Sequence, residues 1–237
     1  VSYFCFEPIK KNMKKLLLIA IVILISSCWN ISNAQVRAGF KMGCDFSNIK
    51  WKDNSLGVEL DKNDLFETKR LISPRLGFIL EVGIVEGLFV QTGVFGSAKG
   101  FRYDFVRIIN EKPYESKEYQ ILLTLDVPVN IGYKIDVGAV KIFGMLGPNI
   151  SYGLYATELY KADGEYDNVH QTVGTKSTDT FKPLNFGLNF EAGVEYDRYQ
   201  FSAFYTVGLS ELAPVSTQKI KTNVFGLTAA VKFGSID

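Results

Sequence analysis

The sequence predicts an all-β fold, an eight-stranded antiparallel up-and-down transmembrane β-barrel. Three observations point there. Apolar and polar residues alternate with period two along most of the chain beyond residue 35. The connections alternate between short and long. The composition is rich in rings and small residues, with 18 Phe, 12 Tyr and 21 Gly. A bundle of membrane helices is excluded, because mean hydropathy is only +0.08. The one long apolar run, Leu16–Ile25, falls short of the roughly 18 residues a spanning helix needs.

The first 34 residues read as an export segment. Lys14 and Lys15 supply a positive start, Leu16–Ile25 an apolar stretch, and Ser32-Asn33-Ala34 a small-residue cleavage site before Gln35. Translation is expected to begin at Met13. A second reading stays open: Ile25-Ser26-Ser27-Cys28 resembles a lipobox, which would make Cys28 a lipidated first residue. Cleavage after Ala34 is favoured because strand-like alternation starts at once, at Val36. The domain division is therefore a removed segment, 1–34, and one barrel domain, 35–237.

The strands follow in order near 36–48, 73–84, 88–103, 119–135, 139–157, 185–196, 199–210 and 225–233. The pattern is cleanest in three of them. Along 119–135 one face reads Tyr119, Ile121, Leu123, Leu125, Val127, Val129, Ile131, Tyr133, and the other carries Gln120, Thr124, Asp126, Asn130 and Lys134. Along 185–196, Phe186, Leu188, Phe190, Ala192, Val194 and Tyr196 oppose Asn185, Gly187, Asn189, Glu191, Gly193 and Glu195. Along 225–233, Phe225, Leu227, Val231 and Phe233 share a face. Links near 85–87, 136–138 and 197–198 are short enough for hairpins. Those near 49–72, 104–117, 156–182 and 210–219 are long and polar, as in a bacterial membrane barrel. An even strand count puts both termini at the short-turn, periplasmic end. Pro128 and Pro148 fall inside strands, where a residue without N–H marks a pairing defect.

A soluble barrel would turn its apolar face inward. Here rings cluster toward the ends of the apolar faces: Tyr133, Tyr196, Tyr199 and Phe233 at the short-turn end, Tyr119, Tyr152 and Phe186 near the other. That is the pattern of two interfacial girdles against outer-membrane lipid. The polar faces carry Gly39, Gly43, Gly77, Gly93, Gly187 and Gly193 together with charges of both signs, which suits a crowded lumen.

The expected lumen charges are Arg37, Lys41, Arg75, Lys99, Lys134, Lys141 and Lys232, with Asp45, Glu81, Asp126, Glu191 and Glu195. Unpaired, each would be costly in so narrow a space, so an internal ion-pair network is expected. Eight strands leave an interior only just wide enough for side chains to fill. The lumen is therefore expected to be largely plugged, with a narrow channel for small solutes as the alternative.

The ordered stretches also resemble a known family. Gly39-Phe40-Lys41-Met42-Gly43 with Phe46-Ser47-Asn48, Arg75-Leu76-Gly77-Phe78 and Ser97-Ala98-Lys99-Gly100 come first. Leu125-Asp126-Val127-Pro128-Val129, Gly147-Pro148-Asn149-Ile150, Gly193-Val194-Glu195-Tyr196 and Tyr205-Thr206-Val207-Gly208-Leu209 follow. Together they resemble the PorT-like outer-membrane barrels of the Bacteroidetes over the whole mature chain, with Asp126 where that family usually has Glu. The resemblance implies an outer-membrane barrel; one branch takes part in type IX secretion, which implies envelope or secretion-system proteins as partners.

Other functions find little support. Removing residues 1–34 takes four Lys and one Glu from a chain of net charge +1, leaving nothing basic enough for nucleic acid. Cys44 is the one cysteine outside that segment; it falls on the lipid-facing register, and with a single His the chain offers no metal framework. No cofactor motif is present, and a non-enzymatic role is expected. The nearest thing to a catalytic group is His170, in a long link with Asp167 and Ser177, which would suit a rim-located lipid- or peptide-hydrolysing site. Tyr155, Tyr160 and Tyr166 are candidate contacts for a surface partner.

Overall fold

The computed structural model describes residues 36–53, 60–61, 68–109, 112–162, 165–176, 179–213 and 218–234. The export segment, with the start at Met13 and the lipobox at Cys28, lies outside the described residues. The strands are β1 (Val36–Asp53), β2 (Leu60–Asp61), β3 (Thr68–Val85), β4 (Leu88–Ile109) and β5 (Lys112–Val137), followed by β6 (Val140–Ala162), β7 (Glu165–Gln171), β8 (Leu184–Tyr196), β9 (Tyr199–Gly208) and β10 (Gln218–Phe233).

Eight of them close into an antiparallel ring in the order β10-β9-β8-β6-β5-β4-β3-β1, with β10 pairing back onto β1 from Ala38↔Phe233 to Asp53↔Gln218. Closure removes the free edge that lipid could not hydrate. The remaining two, β2 and β7, pair with β1 and β6 inside what the sequence presents as long links.

Side-chain direction follows the period-two pattern, inside out relative to a soluble protein. Lys41, Asp45, Arg75, Glu81, Lys99, Asp126, Glu191, Glu195 and Lys232 are buried, while Phe40, Met42, Leu76, Phe78, Ile131, Phe190 and Leu227 are exposed. So wide an apolar surface is tolerable only against hydrocarbon. Cys44 sits on that outer face, between Leu227 and Pro74 in register.

Three two-residue turns join strands at one end. Gly87 and Gly138 take φ of 75° and 63°, and Asp197 takes 51°, the left-handed region that tight hairpins need. Pro128 and Pro148 border interruptions in the ladder: the β4–β5 register skips from Thr92↔Val129 to Phe95↔Asp126, and the β5–β6 register from Pro128↔Asn149 to Ile131↔Leu146. At the first break the Thr92 hydroxyl donates to the Pro128 carbonyl at 2.8 Å, standing in for a ladder bond.

The wall is uneven in height. β4, β5 and β6 hold 22, 26 and 23 residues, whereas β8 and β9 hold 13 and 10. About 9–11 residues cross a membrane, so the tall strands continue well beyond it. This corrects the expected long link at 104–117, which is strand at 104–109 and 112–117. Polarity alone misleads there, because a hairpin satisfies its own backbone whether or not its faces are apolar. The β-branched Val106, Ile108 and Ile109 favour the extended chain.

Candidate functional site: the filled lumen

The inward residues of the ring meet in successive levels. At the turn end, Arg37 (β1), Lys134 (β5) and Lys232 (β10) surround Glu81 (β3) and Glu195 (β8). Arg37 donates to Glu81 and to Glu195 at 2.5 Å, Lys134 to the same pair at 2.5 and 2.8 Å, and Lys232 to them at 3.0 and 2.5 Å. Every cation thus touches both acids. Gln91 adds a bond to Glu81 at 2.9 Å.

One level further in, Lys41 pairs with Glu191, which also accepts from Ser202 at 2.5 Å and Gln200 at 3.3 Å. Above this, Arg75 donates to Asp45 at 3.3 Å and Asp126 at 3.1 Å. Lys99 donates to Asp126 at 2.7 Å and to Ser151 at 2.8 Å. Asp126 also accepts from Ser97 at 3.1 Å. Buried charges are stable only when paired and further hydrogen-bonded; each charge here has a partner of opposite sign, and one oxygen of Asp45, Oδ1, is left without a hydrogen bond.

Rings complete the packing, and sequence reading missed them because they lie on the polar register. The Arg75 guanidinium sits 4.5 Å from the Phe95 ring centre and 4.8 Å from that of Phe204; Lys134 lies 4.5 Å from Phe89. Glycines make the room. A Cβ on Gly77 would lie 2.4 Å from Phe95, and one on Gly226 would lie 2.2 Å from Phe204. A Phe on the polar face with a glycine across the strand is the signal that would have found them.

At the far end the lumen changes character. Phe101, Leu122, Ala156 and Ile220 turn inward from the strands and pack with Phe181, Leu212 and Ala213 from the links. The links are pinned there by backbone bonds from Lys182 N to Leu212 O (2.7 Å), Leu212 N to Ile220 O (2.9 Å) and Gly153 N to Pro183 O (2.6 Å). The expected ion-pair network therefore stops short of this end, where an apolar cap takes the place of the ions. Among the described residues, gaps of about 10 Å³ lie beside Lys41, Arg75 and Glu191 and beside Lys99, Ser151 and Leu212. Each has room for about one water.

Eleven of the twelve expected lumen charges meet in this interior. Lys141 does not: its side chain is 44% exposed and pairs with Asp136 at 3.4 Å. Its Cα is the ladder partner of Glu195, but it stands in the first turn of wall after a hairpin, where water solvates an ammonium more cheaply than burial. Of the ring residues, Tyr133, Tyr152, Phe186, Tyr196, Tyr199 and Phe233 are exposed on the outer face. Tyr119 is half-buried and stands six positions before Leu125, the partner of Tyr152, away from the short-turn end, so it lies above the others of its group.

His170 lies in β7, not in a loop, with its ring 4.5 Å from that of Tyr155. The side chain of Asp167, and Ser177 and Tyr166 likewise, lie outside what is described. Nearby, burial pushes the Glu158 carboxyl up, but hydrogen bonds with Glu118, Tyr160 and Gln171 outweigh it and hold the group below its usual range.

A closed eight-strand ring with a polar interior and an apolar girdle defines a bacterial outer-membrane β-barrel. The chain belongs to the outer membrane protein beta-barrel domain family, whose profile matches residues 17–233. Among solved structures it is similar to Ail, the attachment invasion locus protein of Yersinia pestis, at 15% identity and TM-score 0.35 over 84% of this chain and 99% of that one. It is also similar to OprG from Pseudomonas aeruginosa at 14% and 0.40, over 85% and 96%. Neisserial surface protein A matches at 17% and 0.34, over 83% and 99%. No curated protein matches the chain.

Proposed function

We propose that this barrel is a closed, non-enzymatic scaffold of the outer membrane and does not serve as a conduit. The observation that carries this is the filling of the lumen by two different means in series, buried ion pairs and an apolar cap. A channel needs a continuous wet path, and gaps of about 10 Å³ behind a cavity of about 90 Å³ at the turn end do not make one. In this reading both termini face the periplasm, so that the tall β4–β6 wall and β7 stand outside the cell. Residues 1–34 serve as the export segment, cleaved after Ala34. Outer-membrane lipid covers the apolar face, and the PorT-like resemblance supports envelope or secretion-system proteins as partners of the exposed strands.

The test is single-channel recording of the purified barrel in planar bilayers. The scaffold predicts no sustained conductance. Steady ion-conducting openings of the unmodified chain would overturn it in favour of a narrow solute channel. A pull-down from solubilised outer membranes tests the partner class, with secretion-system components expected and their absence arguing against that branch of the reading.

A further inference from the structure

The lumen levels differ in charge balance. Lys41 is matched by Glu191, and Arg75 with Lys99 by Asp45 with Asp126. Among the described residues the turn-end level is not balanced, because there Arg37, Lys134 and Lys232 share only Glu81 and Glu195. One positive charge is left over, with side-chain exposures of 12% or less on all three cations.

Donor capacity is also left over. A guanidinium carries five N–H groups and an ammonium three. Arg37 uses one bond from each terminal nitrogen, and Lys134 uses two. Both side chains border a cavity of about 90 Å³ at the turn end, lined also by Phe89, Lys141 and Gly87. Among the described residues the acids that line this cavity are Glu81, already shared by three cations, and Asp136, which is 75% exposed and paired with Lys141. Excess charge, spare N–H donors and space coincide at this one level of the lumen.

We propose that the turn-end cavity is a binding site for a small free oxyanion, of the phosphate or carboxylate class, held by Arg37 and Lys134. A planar guanidinium beside an ammonium matches an oxyanion better than a halide, because several oxygens accept charge-assisted hydrogen bonds at once. The bound ion neutralises the surplus charge that the ring otherwise encloses in a low-dielectric wall. The cavity lies within the strand ring, so a free ion fits it where a lipid headgroup, tied to its acyl chains outside, does not.

Phosphorus-31 titration of the full chain in a non-ionic detergent, with inorganic phosphate as the probe, tests this. Saturable binding of one phosphate per chain is expected, undiminished by chloride at equal ionic strength. Lys134→Gln leaves Arg37 and Lys232 balanced by Glu81 and Glu195, and is expected to weaken binding at least about tenfold, the order of one charge-assisted hydrogen bond. Glu195→Gln raises the surplus and is expected to tighten binding, which keeps the test decisive if the lysine variant does not fold. No saturable binding, equal displacement by chloride, or a Glu195→Gln affinity that stays the same or falls would each overturn the site. Tighter binding of short-chain phosphatidylglycerol than of phosphate would overturn the free ion as its occupant.

Discussion

At the turn end the lumen is closed by three cations around two carboxylates, all carried on ring strands, whereas at the opposite end Phe181, Leu212 and Ala213 reach in from links to meet Phe101, Leu122 and Ile220. The two closures differ in what they are attached to. Each ion of the lower levels is part of the wall, so removing one, a cation of the turn-end surplus apart, leaves an unpaired charge that the whole barrel must accommodate. The cap rests partly on segments outside the ladder, which can detach while the ring stays paired. The lower closure is therefore a stability element and the upper one a separable lid over it.

The sharpest test of that contrast is Asp126→Ala. It leaves Arg75 with Asp45 alone and Lys99 with no carboxylate partner, and is expected to cost about 3–5 kcal/mol in urea unfolding of the folded barrel. A loss below about 1 kcal/mol would break the distinction. Gly226→Leu comes next. Even its Cβ would lie 2.2 Å from the Phe204 ring, and forced repacking around Arg75 is expected to cost about 1–3 kcal/mol on the same assay.

Phe181→Ala tests the cap from the other side. Local opening is expected, seen as faster protease cleavage within 172–183, while the global unfolding free energy falls by less than about 1 kcal/mol because the ring does not depend on the link. Conductance should stay absent in this variant, since the ion levels beneath it are intact; current appearing on loss of the cap alone would show that the lower levels do not seal. The smallest effect belongs to Lys141→Ala. Its pair with Asp136 is largely in water, and a change within about 0.5 kcal/mol is expected.

The candidate site was legible to the extent that one rule governs it. Alternate residues of a strand face opposite sides, so the charges at 37, 41, 45, 75, 81, 99, 126, 134, 191, 195 and 232 could be assigned to one interior from sequence. Lys141 obeys the same register and yet stays wet, because parity says which way a side chain starts out and not how far water reaches. Phe89, Phe95 and Phe204 were missed for a related reason. They break the polar pattern, and only the glycines across from them show that the break is a fit.

The amino-acid sequence by itself determined the strand count of the ring, its antiparallel short-turn connections, the inside-out polarity and the membrane as its solvent. Those follow from backbone geometry and hydrophobicity, which act within a strand or between adjacent strands. Only the tertiary structure decided which acid meets which cation, because Arg37 and Glu195 or Lys41 and Glu191 come together through closure of the ring, across more than a hundred residues of chain. It also decided that the far end of the lumen is apolar. Phe181 and Leu212 lie in polar links with no periodicity, and what buries them is the mouth of the barrel they fold into.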